Sequence, residues 1–389
     1  MNSPIDDLLA LPPFGVAAEA KAAAFSAAVG QAMTHHNEHC PMFHAWCEKQ
    51  GFTPEKPIEN PADLPFLPVG IFKRLSLCSV PQEQVVRVVT SSATSSQVPS
   101  RIVLDQITRN RQMRALSSIM TGILGGRRRP FVILDAPPAP STQGGQELSA
   151  RAAGMRGYLM AATMKHYALD SAAGAPVLNV DRLLHTVEQL KNAGGPFGFL
   201  GYTYMLYQSV VRPLHERGVC LQLPENVFVL HFGGWKKLQD QAVDRATLNG
   251  HTAEVFGIPT QNIRDIYGFT EQLGVIYPDR GDGVREVPTY AEVIVRDPHT
   301  LQPVADGETG LLEFICPLPH GYPGVAILVD DIGRIVSRHM GPDGTTRRGF
   351  EVIGRAKRAE PRGCGDTLPS KIYAVAVNET SDTGNNKSI

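Results

Sequence analysis

The 389-residue chain lacks both a large charge imbalance and a long apolar segment. It has 37 Lys and Arg against 38 Asp and Glu, for a formal net charge of −1. Such a balance gives no general attraction to nucleic acid or to an anionic membrane. Apolar runs such as Pro130–Leu134 are too short to span a bilayer, and the acidic start MNSPIDDLLALPPFGV is unlike a signal peptide. We therefore expect a soluble cytoplasmic protein with no transmembrane segment and no nucleic-acid partner.

The chain also lacks the paired cysteines of a disulfide framework or a zinc site. None of its six cysteines forms a CxxC pair, which is typical of free thiols in a reducing compartment. The stretch THHNEHC at 34–40 fits no standard zinc spacing and predicts a polar helix end. Cys220 and Cys316 lie in apolar runs and are expected to pack in the core. Cys364 differs, because it lies between two glycines in the basic segment RAKRAEPRGCGDTL.

Short apolar segments alternate with segments of helical periodicity through the first two thirds of the chain. This alternation predicts an α/β fold with a largely parallel sheet. After Tyr277 short strands separated by turns predict an appended antiparallel β region from about residue 285. The main predicted helices are 17–33, Phe43–Gln50, Thr108–Thr121, Val180–Asn192, Tyr204–Arg217 and Leu238–Phe256. The main predicted strands are Gln84–Thr90, Pro130–Leu134, Phe197–Leu200, Val227–His231, Ile263–Tyr267, Ala291–Arg296, Gly310–Ile315, Val325–Val329, Arg334–Ser337 and Gly349–Ile353.

Three motifs follow predicted strands. The loop of VTSSATSSQVPSRIVLD at 89–105 could hold phosphate oxygens with hydroxyl and N–H groups, although serine and threonine runs are most often solvated loops. Its candidate residues are Ser91, Ser92, Thr94 and Ser95. In HFGGWKK at 231–237, glycines could let a flat ligand approach the backbone or could form a plain turn. In DIYGFTEQ at 265–272, an aromatic, a hydroxyl and an acid stand where open α/β sheets bind ligands.

Two further motifs lie in the predicted β region. LVDDIGRI at 328–335 predicts two acids in a turn between strands, and a hairpin turn alone would explain it. FEVIGRAKR at 350–358 predicts a strand that leads into Gly354 and Arg355. Each of the five motifs is weak on its own.

The order of these motifs resembles that of the adenylate-forming superfamily, which includes acyl-CoA synthetases, peptide-synthetase adenylation domains and firefly-type luciferases. LPFLPVGIFK, SARAAGMRGY, FLGYTYMLYQ, HFGGWKK, YGFTEQ and GRAKRAEPRGC more closely resemble the acyl-protein synthetases of bacterial bioluminescence and their relatives. The resemblance covers residues 64 to 364. It implies an acyl-CoA synthetase-like domain over residues 1–353, and in 354–389 a short segment with a truncated C-terminal lid and a disordered tail.

The resemblance also implies the chemistry and the site residues. ATP, Mg²⁺ and a carboxylic acid, expected to be fatty, would give an acyl-adenylate. Glu271 would lie near the Mg²⁺ and Thr270 near the α-phosphate. Contacts to the nucleotide or to the acid are implied for Gly233, Gly234, Lys236, Tyr267, Asp331 and Arg355. The hydroxyl loop departs from the family form SSGTTG, because Ala93 and Ser96 replace its two glycines, which predicts altered phosphate binding.

In the family that this chain resembles, a cysteine placed like Cys364 accepts the acyl group from the adenylate. Gly363 and Gly365 would let the segment swing, and nearby arginines would favour the thiolate. A partner enzyme, an acyl-CoA reductase or an acyltransferase, would then take the acyl group onward. Two alternatives are an acyl- or aryl-CoA ligase that releases a CoA thioester, and a non-catalytic adenylation-fold binding protein.

Overall fold

The computed structural model describes residues 3–54, 56–91, 99–126, 128–137, 147–149, 155, 157–172, 175–235, 240–279, 281–339, 346–358 and 373–374. The helices in these residues are α1 (Pro4–Ala10), α2 (Ala18–His39), α3 (Pro41–Lys49), α4 (Gln106–Leu124), α5 (Val180–Asn192), α6 (Thr203–Met205), α7 (Arg212–Glu216) and α8 (Arg245–Phe256). A π-helical segment, Leu206–Val211, joins α6 to α7. Short 3₁₀ turns include Val69–Lys73 and Thr270–Gln272.

The strands are more numerous than the sequence predicts and fall into several sheets. In chain order they are β1 (Leu67–Pro68), β2 (Val85–Thr90), β3 (Arg101–Asp105), β4 (Arg129–Leu134), β5 (Glu147–Ser149), β6 (Ala162–Tyr167), β7 (Leu169–Ala172), β8 (Ala175–Leu178), β9 (Gly198–Tyr202), β10 (Phe228–Phe232), β11 (Ile263–Tyr267), β12 (Tyr277–Pro278), β13 (Arg285–Glu286), β14 (Glu292–Arg296), β15 (Thr309–Ile315), β16 (Ala326–His339), β17 (Thr346–Arg355), β18 (Lys357–Arg358) and β19 (Tyr373–Ala374).

One sheet is largely parallel and has the order β12-β11-β10-β9-β4-β6. Its strands pair in parallel except for β12, which runs antiparallel to β11. The central strands are almost entirely apolar, as expected where both faces of a parallel sheet are covered, and Phe199 and Leu230 are fully buried. The carboxyl ends of β9, β10 and β11 meet at one edge. The predicted α/β architecture is confirmed.

Helices begin where a side chain caps the first turn, even where the apolar periodicity predicts an earlier start. The helix predicted over Leu238–Phe256 begins only at Arg245, because the Asp244 side chain accepts the N–H of Thr247 at 2.8 Å and sets the first turn. Helix α5 has the predicted bounds, and Asn179 caps it in the same way. The single helix predicted over Tyr204–Arg217 is interrupted by the π-helical segment just before Pro213, which has no N–H for a regular ladder.

The second large sheet is antiparallel, with the order β13-β17-β16-β15-β14 and with β1 parallel beside β16. The predicted turn at LVDDIGRI is wrong, because β16 runs without a break from Ala326 to His339. The pairing of β16 with β17 shifts its register between Ile332 and Gly333. A β-carbon at Gly333 would overlap the carbonyl oxygen of Glu351 on β17, so this glycine permits close strand pairing and forms no turn.

The N-terminal segment is held by the antiparallel β region. The N–H of Thr289 donates to the carbonyl of Pro13, and the Tyr290 hydroxyl donates to the carbonyl of Leu11, both at 2.8 Å. No helix within the described ranges is long and apolar enough to cross a membrane.

The two cysteines predicted to lie in the core have different surroundings. Cys316 is buried as predicted, but Cys220 is exposed, so that prediction is wrong. The neighbouring Leu221 and Leu223 are buried instead, and their N–H groups donate to the carbonyls of Val255 and Phe256 at the end of α8. The histidine-rich stretch does end a helix as predicted, since α2 ends at His39.

Candidate active site

Two of the predicted motifs meet in one hydrogen bond. Tyr267, the last residue of β11, donates its hydroxyl to Oδ2 of Asp331 on β16 at 2.7 Å. The ring of Tyr267 stacks on that of Phe314 with centres 5.4 Å apart and planes 20° apart. The parallel sheet and the antiparallel sheet are therefore joined at the residues that carry DIYGFTEQ and LVDDIGRI.

Arg355 lies beside both acids of the LVDDIGRI motif. It stands opposite Asp331 in the β16–β17 pairing, with Nε 3.9 Å from Oδ1 of Asp331 and Nη2 3.5 Å from Oδ2 of Asp330. The Arg355 side chain is 69% exposed, so these ion pairs contribute little to stability and leave the guanidinium open to a ligand. Burial raises the pKa of Asp331, and the bond from Tyr267 and the charge of Arg355 oppose that rise.

Glu271 is a buried carboxyl on the 3₁₀ turn that follows β11. It is 5% exposed, and burial raises its pKa. The hydroxyl of Ser100 and the charges of Lys73 and Arg355 partly offset that rise in pKa. The charge of Arg355 thus lowers the pKa of both Glu271 and Asp331 against the effect of burial. Thr270 begins the same turn and is half-buried.

The turn that carries Glu271 is fixed by its neighbour Gln272. The side-chain Nε2 of Gln272 lies 3.0 Å from the carbonyl oxygen of Phe314, 3.1 Å from that of Gly324 and 3.2 Å from that of Val325. The Tyr322 hydroxyl donates to the backbone carbonyl of Glu271 at 2.7 Å. Because these partners belong to β15 and to the segment before β16, they lock the turn onto the antiparallel sheet.

We expect Gln272→Leu to lower the free energy of unfolding by about 1–3 kcal/mol, because it leaves buried carbonyl groups without their donor. Denaturant unfolding measures this as a lower midpoint with an unchanged m-value. Gln208→Leu is the control, since that amide donates to the carbonyl of Gln241 at 3.1 Å in an exposed position and should cost less than about 0.5 kcal/mol. Equal stability of Gln272→Leu and wild type would show that these contacts do not hold the turn.

The two glycines of HFGGWKK are required by the backbone. Gly233 has φ 88° and Gly234 has φ 57°, which side chains disfavour. A β-carbon on Gly233 would also lie 3.1 Å from Cδ1 of Tyr202. The preceding Phe232 packs against Tyr158 and Tyr202, with ring centres 4.6 and 4.5 Å away. The end of β10 therefore combines an open backbone with a mainly apolar aromatic cluster.

Strands β2 and β3, which flank the hydroxyl loop in the sequence, pair antiparallel. The N–H of Ser91 donates to the carbonyl of Ser100 at 3.1 Å, and the N–H of Ser100 donates to Oγ of Ser91 at 2.8 Å. Ser91 therefore fixes the base of the loop. The predicted site residues that lie outside the described ranges are Ser92, Thr94, Ser95, Lys236 and Cys364, together with the substituted loop positions Ala93 and Ser96.

Residues 1–373 match the family model described as "Acyl-protein synthetase, LuxE". The chain belongs to this family. The resemblance stated from the motifs is thus confirmed, and the chain is an enzyme of the ligase type. The matched residues of this acyl-protein synthetase include both large sheets, and therefore Tyr267, Glu271 and Asp331.

Curated relatives and solved structures agree with the family. A long-chain-fatty-acid–luciferin-component ligase of Vibrio harveyi is 23% identical over 344 residues, which cover 88% of this chain and 86% of the relative. The ligase of the same name from Aliivibrio fischeri is 24% identical over 311 residues, covering 80% and 79%. A 2-hydroxyisobutyryl-CoA ligase in complex with 2-HIB-AMP has a TM-score of 0.61 at 16% identity, covering 88% of this chain and 69% of that chain. That likeness shows that this acyl-protein synthetase has the fold of an adenylate-forming ligase.

Motif reading missed several residues that shape the site of this acyl-protein synthetase. Lys73 ends the 3₁₀ turn of LPFLPVGIFK and Ser100 closes the hydroxyl loop, yet both act on Glu271. Gln272 is the last residue of DIYGFTEQ, but nothing in sequence distinguishes a buried amide from an exposed one. A polar residue next to a strongly apolar run was the only signal available for these three.

Proposed function

We propose that this protein activates a fatty acid with ATP as an acyl-adenylate and captures the acyl group as a thioester on its own Cys364. The observation that carries the proposal is the joined arrangement of Tyr267, Asp331 and Arg355, with the buried Glu271 on the turn that follows Tyr267, in a chain of the acyl-protein synthetase family. Both named relatives are ligases of long-chain fatty acids, which supports a fatty acid as substrate. An acyl-CoA reductase or an acyltransferase would then take the acyl group from the thioester.

In the first step two anions must meet. A carboxylate oxygen of the fatty acid attacks the α-phosphorus of ATP, the bond to the β-phosphate oxygen breaks, and pyrophosphate leaves with the electron pair. The ring of Tyr267 would lie against the adenine, and Asp331 would accept hydrogen bonds from the ribose hydroxyls. Arg355, exposed and beside Asp331, would offset negative charge on the nucleotide.

Glu271 suits a magnesium ion, because its buried carboxyl is only partly compensated by neighbouring groups. Within the described ranges, no group of three or more His, Cys, Asp or Glu residues lies together as a metal site. Mg²⁺ commonly uses one or two carboxylates together with substrate phosphates and water, so a single buried acid fits it. When bound there, the ion would neutralise charge on the phosphates.

In the second step the Cys364 thiolate attacks the carbonyl carbon of the acyl-adenylate. The bond from that carbon to the phosphate oxygen breaks and AMP leaves with the electron pair; the thiol has lost its proton to solvent before the attack. Cys364 follows Arg355 by nine residues, which can span at most roughly 30 Å when extended. Because Arg355 lies beside Asp331, this length would let the thiol reach a nucleotide bound at Asp331. Strands β18 and β19 pair on either side of the segment that contains it.

The proposal is tested by incubating the full chain with ATP, Mg²⁺ and saturated fatty acids from octanoate to hexadecanoate. We expect the intact mass to rise by one acyl group and the label to be lost in neutral hydroxylamine, which cleaves thioesters. Acyl-CoA formation without protein labelling, when CoA is added, would identify a CoA ligase instead. Absence of carboxylate-dependent ATP–pyrophosphate exchange with every acid would contradict adenylation.

A further inference from the structure

Arg285 lies against the ring of Tyr267, the proposed contact of the adenine. It belongs to β13, where it stands opposite Phe350 of β17. Its guanidinium carbon is 5.9 Å from the centre of the Tyr267 ring, within the range of a cation–π contact. The side chain is 12% exposed, and it forms an ion pair with Asp265 and donates to the carbonyl of Gly283 at 3.1 Å.

Asp265 ties this guanidinium to the strand of Tyr267 and to its neighbour. It lies on β11 two residues before Tyr267 and stands opposite His231 of β10. Nδ1 of His231 is 3.7 Å from Asp265 and 3.0 Å from Oγ1 of Thr203. Burial lowers the pKa of His231, so this imidazole is neutral near pH 7. The cation that balances Asp265 is therefore Arg285.

The turn before β13 fixes the backbone of Arg285. Asp279 forms a β-bridge with Arg285, accepts the N–H of Gly281 and lies 3.5 Å from Nη1 of Arg245, at the start of α8. Gly283, with φ 89°, passes so close to Arg245 that a β-carbon there would lie 2.6 Å from its guanidinium. The position of Arg285 is thus set from two sides, independently of Tyr267.

Stability alone does not explain a guanidinium in this place. The Nε–H of Arg285 is buried and has no hydrogen-bond partner within the described ranges. Buried charges with incomplete hydrogen bonding cost more than apolar side chains of similar volume. A buried polar atom without a partner calls for a reason other than packing.

We propose that Arg285 is a positioning residue for the nucleotide, and that it acts through Tyr267 by holding the ring in the orientation that adenine needs. Phe314 stacks on the ring and Asp331 holds its hydroxyl, while the rings of Phe269, Tyr277 and Phe350 pack around it. Arg285 adds a cationic contact to these aromatic ones. This inference rests on the proposed function, because it takes Tyr267 as the adenine contact. It adds a residue that no motif of the chain contains.

The test measures ATP affinity by isothermal titration calorimetry, together with kcat and KM for ATP in pyrophosphate exchange. Arg285→Gln should weaken ATP binding about fivefold and raise KM by the same factor, with kcat at saturating ATP nearly unchanged. Arg285→Lys keeps the charge for Asp265 but loses the planar contact, so it should fold normally and still weaken binding about threefold.

Action through the ring is tested in two backgrounds. In Tyr267→Phe the ring remains, so Arg285→Gln should weaken ATP binding by the same factor as in wild type. In Tyr267→Leu the ring is gone, and Arg285→Gln should change affinity less than twofold. If Arg285→Gln weakened ATP binding in the Tyr267→Leu background as much as in wild type, Arg285 would not act through the ring.

Arg264→Gln is the matched control. Its guanidinium lies 4.4 Å from the ring centre of Phe228, at the opposite end of the same parallel strands, so ATP affinity should be unchanged. Wild-type ATP affinity in both Arg285 variants would refute the inference while leaving the proposed function in place. If wild type itself bound no ATP, the proposed function would fail and the inference would fail with it.

Discussion

Cys364→Ala is expected to abolish acylation of the protein while carboxylate-dependent pyrophosphate exchange stays within about twofold of wild type. Adenylation would use Tyr267, Glu271 and Asp331, and removing one sulfur beyond β18 leaves their contacts unchanged. Without the thiol, the acyl-adenylate has no nucleophile on the chain. Intact mass spectrometry measures the label, and neutral hydroxylamine distinguishes a thioester from an oxygen ester.

Cys220→Ala is the matched control, because Cys220 is an exposed thiol in an ordinary surface segment. It should be labelled as fully as wild type. Cys47 and Cys316 are poor competitors, since burial raises the pKa of each thiol to about 12 and keeps it protonated at neutral pH. A label that persists in Cys364→Ala, or that maps to Cys220, would refute the assigned role.

Glu271→Gln is expected to lower exchange activity on the order of 100-fold or more if the carboxylate organises Mg²⁺ and the phosphates. The folded protein should be as stable as wild type or more stable near pH 8. Burial raises the pKa of Glu271 in the folded state, so its ionised form costs stability above that pKa, and the amide removes this cost. Steady-state exchange and a thermal melt measure the two effects.

Glu254→Gln provides the comparison for Glu271→Gln, because Glu254 pairs with His215 at the surface of α8. It should leave exchange unchanged. Near-normal exchange in a folded Glu271→Gln protein would remove this residue from the metal site. A loss of exchange accompanied by a large drop in melting temperature would point instead to damage to the turn between Thr270 and Gln272.

Helices and strands were predictable from the sequence where the residue pattern and the residues at their ends indicate the same boundaries. Helix α5 has both an apolar periodicity and a capping Asn179, and strand β11 has isoleucines at 263 and 266 and ends at Tyr267 just before Gly268, so their bounds match. Where local signals conflict, the fold decides by contacts that are distant in sequence. The segment DDIGR reads as a turn, yet pairing with β15 and β17 draws it into one strand.

The candidate site was predictable as a set of motifs but not as a set of contacts. The motifs indicated Tyr267 and Asp331 separately, and the bond that joins them comes only from the meeting of two sheets. Arg285 gave no signal, because an isolated arginine after GDGV is indistinguishable from a solvated one. Its role depends on Asp265 and Tyr267, which are close to it only in the folded chain.

Pairing of Leu67–Pro68 with Ile327–Leu328 separates the order of synthesis from the order of folding. On the ribosome helices α1 and α2 emerge well before strand β16, which β1 joins and which lies near the C-terminal end of the described strands. The carbonyls of Leu11 and Pro13 likewise cannot be bonded until Thr289 and Tyr290 have been made. Until then the apolar faces of these helices stay uncovered, a state that favours aggregation and chaperone binding. The segment 4–68, although made earlier, therefore reaches its native place only once β16, the strand that carries Asp331, is available for pairing.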